Sequence, residues 1–70
     1  MPLVTIRMAR RATPATAEQK AALIAGVTDV VQAVLDKRRD SATVILDEVD
    51  ADNWGEGGVP VTQLRAQLRP

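Results

Sequence analysis

The sequence predicts an α/β fold, a small β-α-β subunit with a short C-terminal hairpin. Apolar and polar residues alternate over residues 3–9 and again over residues 42–49, a pattern typical of strands. Between them, apolar residues recur at helical spacing over residues 17–36. A strand, a helix and a second strand in this order imply a right-handed crossover with parallel strands. We therefore expect one domain over residues 1–70.

The first predicted strand has two different faces. Its purely apolar face carries Val4, Ile6 and Met8. Its mixed face carries Leu3, Thr5 and Arg7. Because successive side chains of a strand point to opposite sides of a sheet, we expect the apolar face to be covered. The mixed face is expected to line a subunit contact or a cavity.

The residues that flank the predicted helix define its ends. Thr16 is the predicted N-cap, and Gln19, three residues later, completes a capping box. The basic run of residues 37–39 follows the helix, where cations interact favourably with the helix dipole. We interpret that run mainly as a solvated cap.

The last third of the chain is predicted to be irregular. Residues 50–58 are rich in turn-forming residues. Residues 59–62 are expected to form a short edge strand or hairpin arm, because Pro60 cannot donate a hydrogen bond inside a sheet. Residues 63–70 are predicted to form a polar tail that is partly held by a neighbouring subunit.

Length and composition favour an oligomer. A chain this short buries only about 60% of the surface that it exposes when unfolded. It has no Cys for disulfides and no His for metal binding. Its apolar fraction of 46% is high for a chain with little interior, and two strands with one helix do not form a stable sheet alone. We therefore predict self-association through the uncovered face of the sheet.

Charge and hydropathy argue against several partners. Nine basic and nine acidic residues cancel, so no net field attracts nucleic acid or an anionic membrane. No stretch approaches the roughly 20 apolar residues that span a bilayer, and Arg7 and Arg10 interrupt any signal-peptide core. We expect a cytoplasmic protein with no nucleic-acid or membrane partner.

Missing residue types exclude many mechanisms. Without His and Cys, the chain has neither a serine-histidine triad nor a thiol nucleophile. Residues 55–58 match neither a phosphate-binding loop nor a dinucleotide fingerprint. A calcium loop that starts at Asp50 would place Trp54 at a ligand position, which excludes that site. Pro2, a set of arginines and Trp54 remain as candidates.

Pro2 becomes a candidate general base when Met1 is removed. Aminopeptidases that remove start methionines accept a small second residue, and the mature chain then begins with a secondary amine. An ordinary α-amino group titrates near ~8. An apolar pocket or a nearby guanidinium lowers that pKa toward the range that suits a base at neutral pH. Considered alone, a trimmed terminus without a function is the alternative interpretation.

Arg10 and Arg11 directly follow the first predicted strand. A strand of about seven residues spans over 20 Å at ~3.3 Å per residue, so neither arginine reaches Pro2 of its own chain. A second subunit would have to bring them together, and otherwise they are a solvated pair. Trp54 is a candidate for a site wall or for an anchor in a core or interface.

Three separated segments resemble the 4-oxalocrotonate tautomerase family. They are Met-Pro-Leu-Val-Thr-Ile at residues 1–6, Thr-Ala-Glu-Gln-Lys-Ala-Ala-Leu-Ile at residues 16–24 and Asp-Asn-Trp-Gly-Glu-Gly-Gly at residues 52–58. The resemblance covers nearly the whole chain. It implies subunits that pair into a four-stranded sheet in an oligomer, usually three dimers in a hexamer, which agrees with the oligomer expected from composition.

The resemblance also implies roles for individual residues. The family's amino-terminal proline, which matches Pro2, moves a proton between the oxygen and carbon sites of an enol beside a 2-oxo acid, without cofactor or metal. A family arginine that binds the substrate carboxylate falls nearest Arg11, with Arg10 as the alternative because this loop is longer. The family's aromatic wall residue matches Trp54.

One position departs from the family's pattern. The family's second arginine, supplied by a neighbouring subunit, falls at Thr43, which carries no charge. A missing charge-assisted hydrogen bond is worth roughly 1.5–3 kcal/mol. Arg10, Arg39 and Arg65 are candidates to replace it in space. The departure weakens the expectation of a muconate-type dicarboxylate more than the expectation of proline chemistry.

The sequence therefore predicts a homo-oligomeric tautomerase acting on a small 2-hydroxy-dienoate or enolpyruvate-like carboxylic acid. One alternative is a related dehalogenase, hydratase or decarboxylase, in which Glu56 activates water. A second alternative is a non-catalytic partner subunit of a hetero-oligomer, which the missing arginine at Thr43 motivates.

Overall fold

The computed structural model describes residues 2–36, 38 and 41–68. Its first part is the predicted β-α-β unit, formed by β1 (Leu3–Ala9), α1 (Ala17–Leu35) and β2 (Thr43–Val49). Its second part consists of a 3-10 turn (Ala51–Asn53), the strands β3 (Gly55–Glu56) and β4 (Val59–Pro60), and the helix α2 (Val61–Leu68). The α/β fold class and the predicted β-α-β order are confirmed.

The strands β1 and β2 pair in parallel, as the crossover rule predicts. The register places Leu3 opposite Thr43 and Ala9 opposite Val49. The apolar face of β1 is half-buried and its mixed face is exposed, which confirms the predicted alternation. The helix α1 packs on this sheet against β2. Because β1 and β2 run in the same direction, their amino ends lie at one end of the sheet and their carboxyl ends at the other.

The start of α1 is held by the predicted capping box. The main-chain N–H of Gln19 donates to the hydroxyl of Thr16 at 3.1 Å, and the N–H of Thr16 donates to the side-chain oxygen of Gln19 at 3.0 Å. The helix ends at Leu35, because Asp36 adopts the left-handed conformation with φ 52°. In the basic run predicted to cap this end, residues 37 and 39 lie outside the described residues.

The predicted hairpin is formed by β3 and β4, with Gly57 and Gly58 in the turn. Its second arm is shorter than predicted, because residues 61 and 62 belong to α2. Both glycines have positive φ, at 56° and 85°, which a two-residue hairpin turn requires and glycine adopts without strain. Pro60 ends the second arm, at a position where its missing N–H costs no hydrogen bond inside a larger sheet.

The prediction of a polar tail over residues 63–70 is wrong for its described part, because Val61–Leu68 forms α2. Proline is well tolerated around the first turn of a helix, so Pro60 does not prevent a helix from following it. In the sequence, Val61, Leu64 and Leu68 recur at the spacing of one helix face, and this pattern indicates a helix. The side chains of Val61 and Leu64 are half-buried, and α2 packs against the 3-10 turn.

The described subunit has no fully buried apolar side chain. Among the described residues, Thr28 alone is buried. Large apolar residues of the sheet and of α1 are exposed, including Leu3 at 63% and Val34 at 75%. Burial of apolar surface is the main favourable term in folding, so this exposure supports the expectation of an oligomer. Pairing into a four-stranded sheet stays a prediction. Neither α1 nor α2, the helices of the described residues, combines the length and the hydropathy of a membrane span.

Candidate active site

Pro2 lies at the amino end of the sheet, immediately before β1. It is half-buried, and its carbonyl oxygen accepts a hydrogen bond from the main-chain N–H of Thr43 at 3.0 Å. The parallel register places Thr43 beside Leu3. The structure therefore brings two of the predicted site residues, Pro2 and Thr43, together through the main chain alone.

The side chain of Thr43 is exposed on the face of β2 that carries Ile45. A hydroxyl donates one hydrogen bond and carries no charge. The amino end of the sheet thus offers a half-buried proline and a neutral hydroxyl. The arginine nearest to Pro2 in the sequence is Arg7. Its guanidinium is paired with the carboxylate of Asp47 at 3.1 Å.

Arg10 and Arg11 lie at the opposite end of the sheet, directly after β1. The N–H of Arg10 donates to the carbonyl of Val49 at 2.7 Å, and the carbonyl of Arg10 accepts from the guanidinium of Arg65 at 2.6 Å. The main chain of Arg10 is therefore held from both sides, while the side chains of Arg10 and Arg11 remain exposed.

These two arginines line an open groove of about 670 Å³. The groove is closed on its other sides by the residues that follow β2 and by α2. Its charged and hydroxyl-bearing lining residues are Arg10, Arg11, Arg65, Asp50 and Thr62. Guanidinium groups bind carboxylates through paired hydrogen bonds, so a groove of this composition is suited to an organic acid.

Trp54 lies at the same carboxyl end, between the 3-10 turn and the hairpin. Its N–H donates to the carbonyl of Ala51 at 3.4 Å, and its carbonyl accepts from the N–H of Val61 at 2.7 Å. The side chain is half-buried, and its indole N–H donates to the carboxylate of Glu56 at 3.3 Å. Trp54 is thus held beside the start of α2, and Glu56 is bound to the indole.

Glu48 anchors the loop between β1 and α1 to the sheet. Its carboxylate contacts the ammonium of Lys20 at 2.9 Å and accepts from the N–H of Ala15 at 3.3 Å, and its side chain is only 10% exposed. The hydrogen bond from Lys20 is the main cause that lowers the pKa of Glu48, and Arg10 adds a smaller favourable charge. This anchor holds the end of the loop that carries both arginines.

A single subunit separates the predicted base from the predicted carboxylate-binding residues. Pro2 and Arg10 stand eight positions apart along an extended strand, or roughly 25 Å at ~3.3 Å per residue. One chain therefore carries the candidate proline at one end of the sheet and the arginine-lined groove at the other. The structure brings Arg10, Arg11 and Trp54 to the carboxyl end, and Pro2 and Thr43 to the amino end.

Arg65 is the groove residue whose position the sequence left open. The sequence offered it only as one of three arginines able to replace a missing charge, within a segment predicted to be a tail. Because α2 is a helix, Arg65 is half-buried and reaches the carbonyl of Arg10. The helical spacing of residues 61–68 was the signal that would have placed it.

Comparisons with known proteins identify the family. The family model described as tautomerase enzyme matches residues 2–64. The chain is 49% identical over 67 residues to a probable tautomerase of Dickeya dadantii, with 96% of this chain and 97% of that protein covered. It is 45% identical over 65 residues to a probable tautomerase of Helicobacter pylori, covering 93% of this chain and 96% of that protein.

Solved structures agree with these matches. DmpI from Helicobacter pylori superposes with a TM-score of 0.85 at 43% identity, covering 93% of this chain and 97% of that one. A heterohexamer 4-oxalocrotonate tautomerase from Chloroflexus aurantiacus superposes with a TM-score of 0.77 at 29% identity, covering 99% and 100% of the two chains. The fold, the separated site residues and these matches lead to one conclusion: the chain belongs to the tautomerase family of enzymes.

Proposed function

We propose that this protein catalyses keto-enol tautomerisation of a small 2-hydroxy-dienoate or enolpyruvate-like acid, with Pro2 as the general base once Met1 has been removed. The nitrogen of Pro2 takes the proton from the enol oxygen and returns a proton to carbon. No redox change occurs, so the reaction needs no electron carrier. The observation that carries this proposal is the half-buried position of Pro2, held by Thr43 at the start of β1, in a tautomerase-family chain.

The remaining site residues are proposed to come from another copy of the chain. Arg11, with Arg10 as the alternative, binds the substrate carboxylate, and Trp54 supplies an apolar wall that limits water near the amine. The separation of Pro2 from Arg10 along β1 supports a site shared between subunits. The exposed apolar surface of the subunit supports association into a homo-oligomer, with a dimer-based hexamer as the expected form.

An ultraviolet assay of ketonisation tests this function. The substrates are 2-hydroxymuconate and phenylenolpyruvate, and intact-mass measurement shows that Met1 is absent from the protein used. A positioned general base contributes about 10²- to 10⁴-fold to a rate, so Pro2→Ala is expected to lose kcat within that range. The variant should keep its secondary structure by circular dichroism and its size by light scattering. Near-full activity of a folded Pro2→Ala protein would exclude the mechanism.

The two alternatives are distinguished by separate outcomes. In a hydratase-type relative, Glu56 would have to activate water, and the product would incorporate oxygen from labelled water. In a non-catalytic subunit, the pure protein would turn over neither substrate but would gain activity with a second chain. The heterohexameric relative from Chloroflexus aurantiacus makes that second experiment worthwhile.

A further inference from the structure

The groove at the carboxyl end of the sheet has an excess of positive charge. Three guanidinium groups line it, those of Arg10, Arg11 and Arg65, against one carboxylate, that of Asp50. The groove therefore carries a net formal charge of two positive units, in a chain whose total charge is zero. Like charges that share a groove repel each other, and an anion bound between them removes that repulsion.

The acidic groups beside the groove are already engaged locally. A side-chain oxygen of Asp50 accepts from the N–H of Asp52, and the carboxylate of Asp52 accepts from the hydroxyl of Thr62. The salt bridges of Arg7 with Asp47 and of Lys20 with Glu48 do not involve the groove arginines. None of the three groove arginines is therefore paired with a carboxylate in this part of the chain.

Arg65 differs from the other two groove arginines in how its side chain is held in place. Its side chain is half-buried on α2, and one N–H of its guanidinium is fixed by the carbonyl of Arg10 at 2.6 Å. A guanidinium has five N–H donors in a rigid planar arrangement. Within the described residues that carbonyl is its one hydrogen-bond acceptor, so further donors remain available on the side of the groove. A group held in this way loses little entropy when it binds a ligand.

The size of the groove and the charge of the chain select the kind of anion. A groove of about 670 Å³ has the size of a small-molecule site. A polyanion such as nucleic acid is recognised by an extended basic surface, which a chain of zero net charge does not offer. A small dianion complements such a groove, because it has one carboxylate for Arg11 and a second for Arg65.

We propose that Arg65 is a substrate-binding residue that makes the site select acids with two carboxylates over acids with one. This inference rests on the proposed function, because it assigns the groove to the tautomerase substrate. It also changes the expectation drawn from Thr43. The charge absent from β2 is supplied by α2, so a dicarboxylate becomes the favoured substrate class.

Fumarate and crotonate are suitable probes, because they differ only by a carboxylate in place of a methyl group. Their affinities for the assembled protein at pH 7 are measured by isothermal titration calorimetry, without turnover. The unmodified protein is expected to bind fumarate at least about tenfold more tightly than crotonate. Arg65→Ala is expected to lose about 10- to 100-fold for fumarate, as for a lost charge-assisted hydrogen bond, and less than about threefold for crotonate.

Matched variants separate binding from positioning. Gln63→Ala, an exposed position on the same helix, is the control and should leave both affinities unchanged. Arg65→Lys keeps the charge and should keep part of the preference for fumarate. Arg65→Gln keeps a hydrogen-bond donor without charge, and it replaces Arg65→Ala if circular dichroism shows that the alanine variant does not fold.

The outcomes are distinguishable. A preference for fumarate that disappears in the neutral variants and is partly kept in Arg65→Lys supports the proposal. Equal losses for both acids would mean that Arg65 only holds the loop of Arg10, and unchanged affinities would exclude any role in binding. Either result overturns the inference. A Pro2→Ala protein that keeps both turnover and the fumarate preference would overturn the proposed function while leaving the role of Arg65 intact.

Discussion

The two ends of the parallel sheet are held by different kinds of contact. At the amino end, Pro2 is fixed by one main-chain hydrogen bond from Thr43, which follows from strand register. At the carboxyl end, the main chain of Arg10 is held by Val49 on one side and by Arg65, 55 positions away, on the other. The proposed base is therefore placed by local strand geometry, whereas the arginine-lined groove depends on packing between distant segments.

This difference has a consequence for catalysis. One chain carries both ends, but they are separated by the length of β1. The proposed site therefore combines the amino end of one subunit with the carboxyl end of another. The exposed apolar residues on both faces of the subunit provide surface for such an association.

The largest expected effect comes from mixing two inactive proteins. Pro2→Ala replaces the proposed secondary-amine base with an ordinary primary α-amine, and Arg11→Ala removes the proposed carboxylate-binding group at the other end. If they are unfolded together in equal amounts and refolded, hybrid oligomers form. Activity should return to about a quarter of the unmodified level, because random mixing in a symmetric oligomer leaves that share of shared sites with both residues intact.

The control for this mixture is each variant refolded alone, which should remain inactive. A matched second mixture combines Pro2→Ala with Pro2→Gly, two variants damaged at the same end, and should stay inactive as well. Mixed oligomers, verified by native mass spectrometry, that show no recovery would mean that each site is built within one chain.

A smaller effect, on thermal stability, is expected when Glu48 at the carboxyl end of the sheet is substituted. Lys20 holds the pKa of Glu48 below its ordinary value of 4.5 in the folded protein. A carboxyl whose pKa is lowered by folding stabilises the folded state above its unfolded-state pKa, and this contribution disappears as the pH falls through the folded-state value. Glu48→Gln should therefore lower Tm at pH 7, and its difference from the unmodified protein should shrink below pH 4.5.

Differential scanning calorimetry between pH 3 and pH 7 measures this change. Glu18→Gln, at an exposed carboxylate in the first turn of α1, is the matched control and should show a smaller difference at pH 7. A Tm deficit of Glu48→Gln that is the same at both pH values would show that the contact between Lys20 and Glu48 does not stabilise the fold through its charge.

The smallest effect is expected at the amino end. Thr43→Val removes the exposed hydroxyl but keeps the main-chain N–H that donates to Pro2. Kinetics with both enol acids should change by less than about fivefold, since a single exposed neutral hydrogen bond is worth about 1 kcal/mol or less. A loss as large as that of Pro2→Ala would instead assign the hydroxyl of Thr43 a direct part in the reaction.

Local features of the fold were predictable because each involves neighbouring residues. The alternation of β1 and the capping box of Thr16 and Gln19 involve positions no more than a few residues apart. The turn of Gly57 and Gly58 is another local feature, because positive φ at both positions favours glycine. The helix α2 is the exception, because Pro60 suggests an edge strand and the helix after it has only eight residues, too few for a clear apolar period.

The candidate site was predictable only in part. Pro2 is identified by its position directly before a strand, and Arg10 and Arg11 by their position directly after it. The groove was not predictable, since α2 and the segment after β2 have to pack together before Asp50, Thr62 and Arg65 line one surface. The bond from Trp54 to Glu56 likewise required the hairpin to be in place.

The sequence by itself determined the β-α-β order, the ends of β1, the start of α1 and the placement of a proline at the start of β1. These follow from side-chain periodicity, capping and backbone sterics, which act over a few residues. Only the tertiary structure decided that Arg65 reaches the carbonyl of Arg10 and that Glu48 binds Lys20. Such contacts join residues far apart in the chain, and a hydrogen bond or ion pair forms only when packing brings the two groups within about 3 Å.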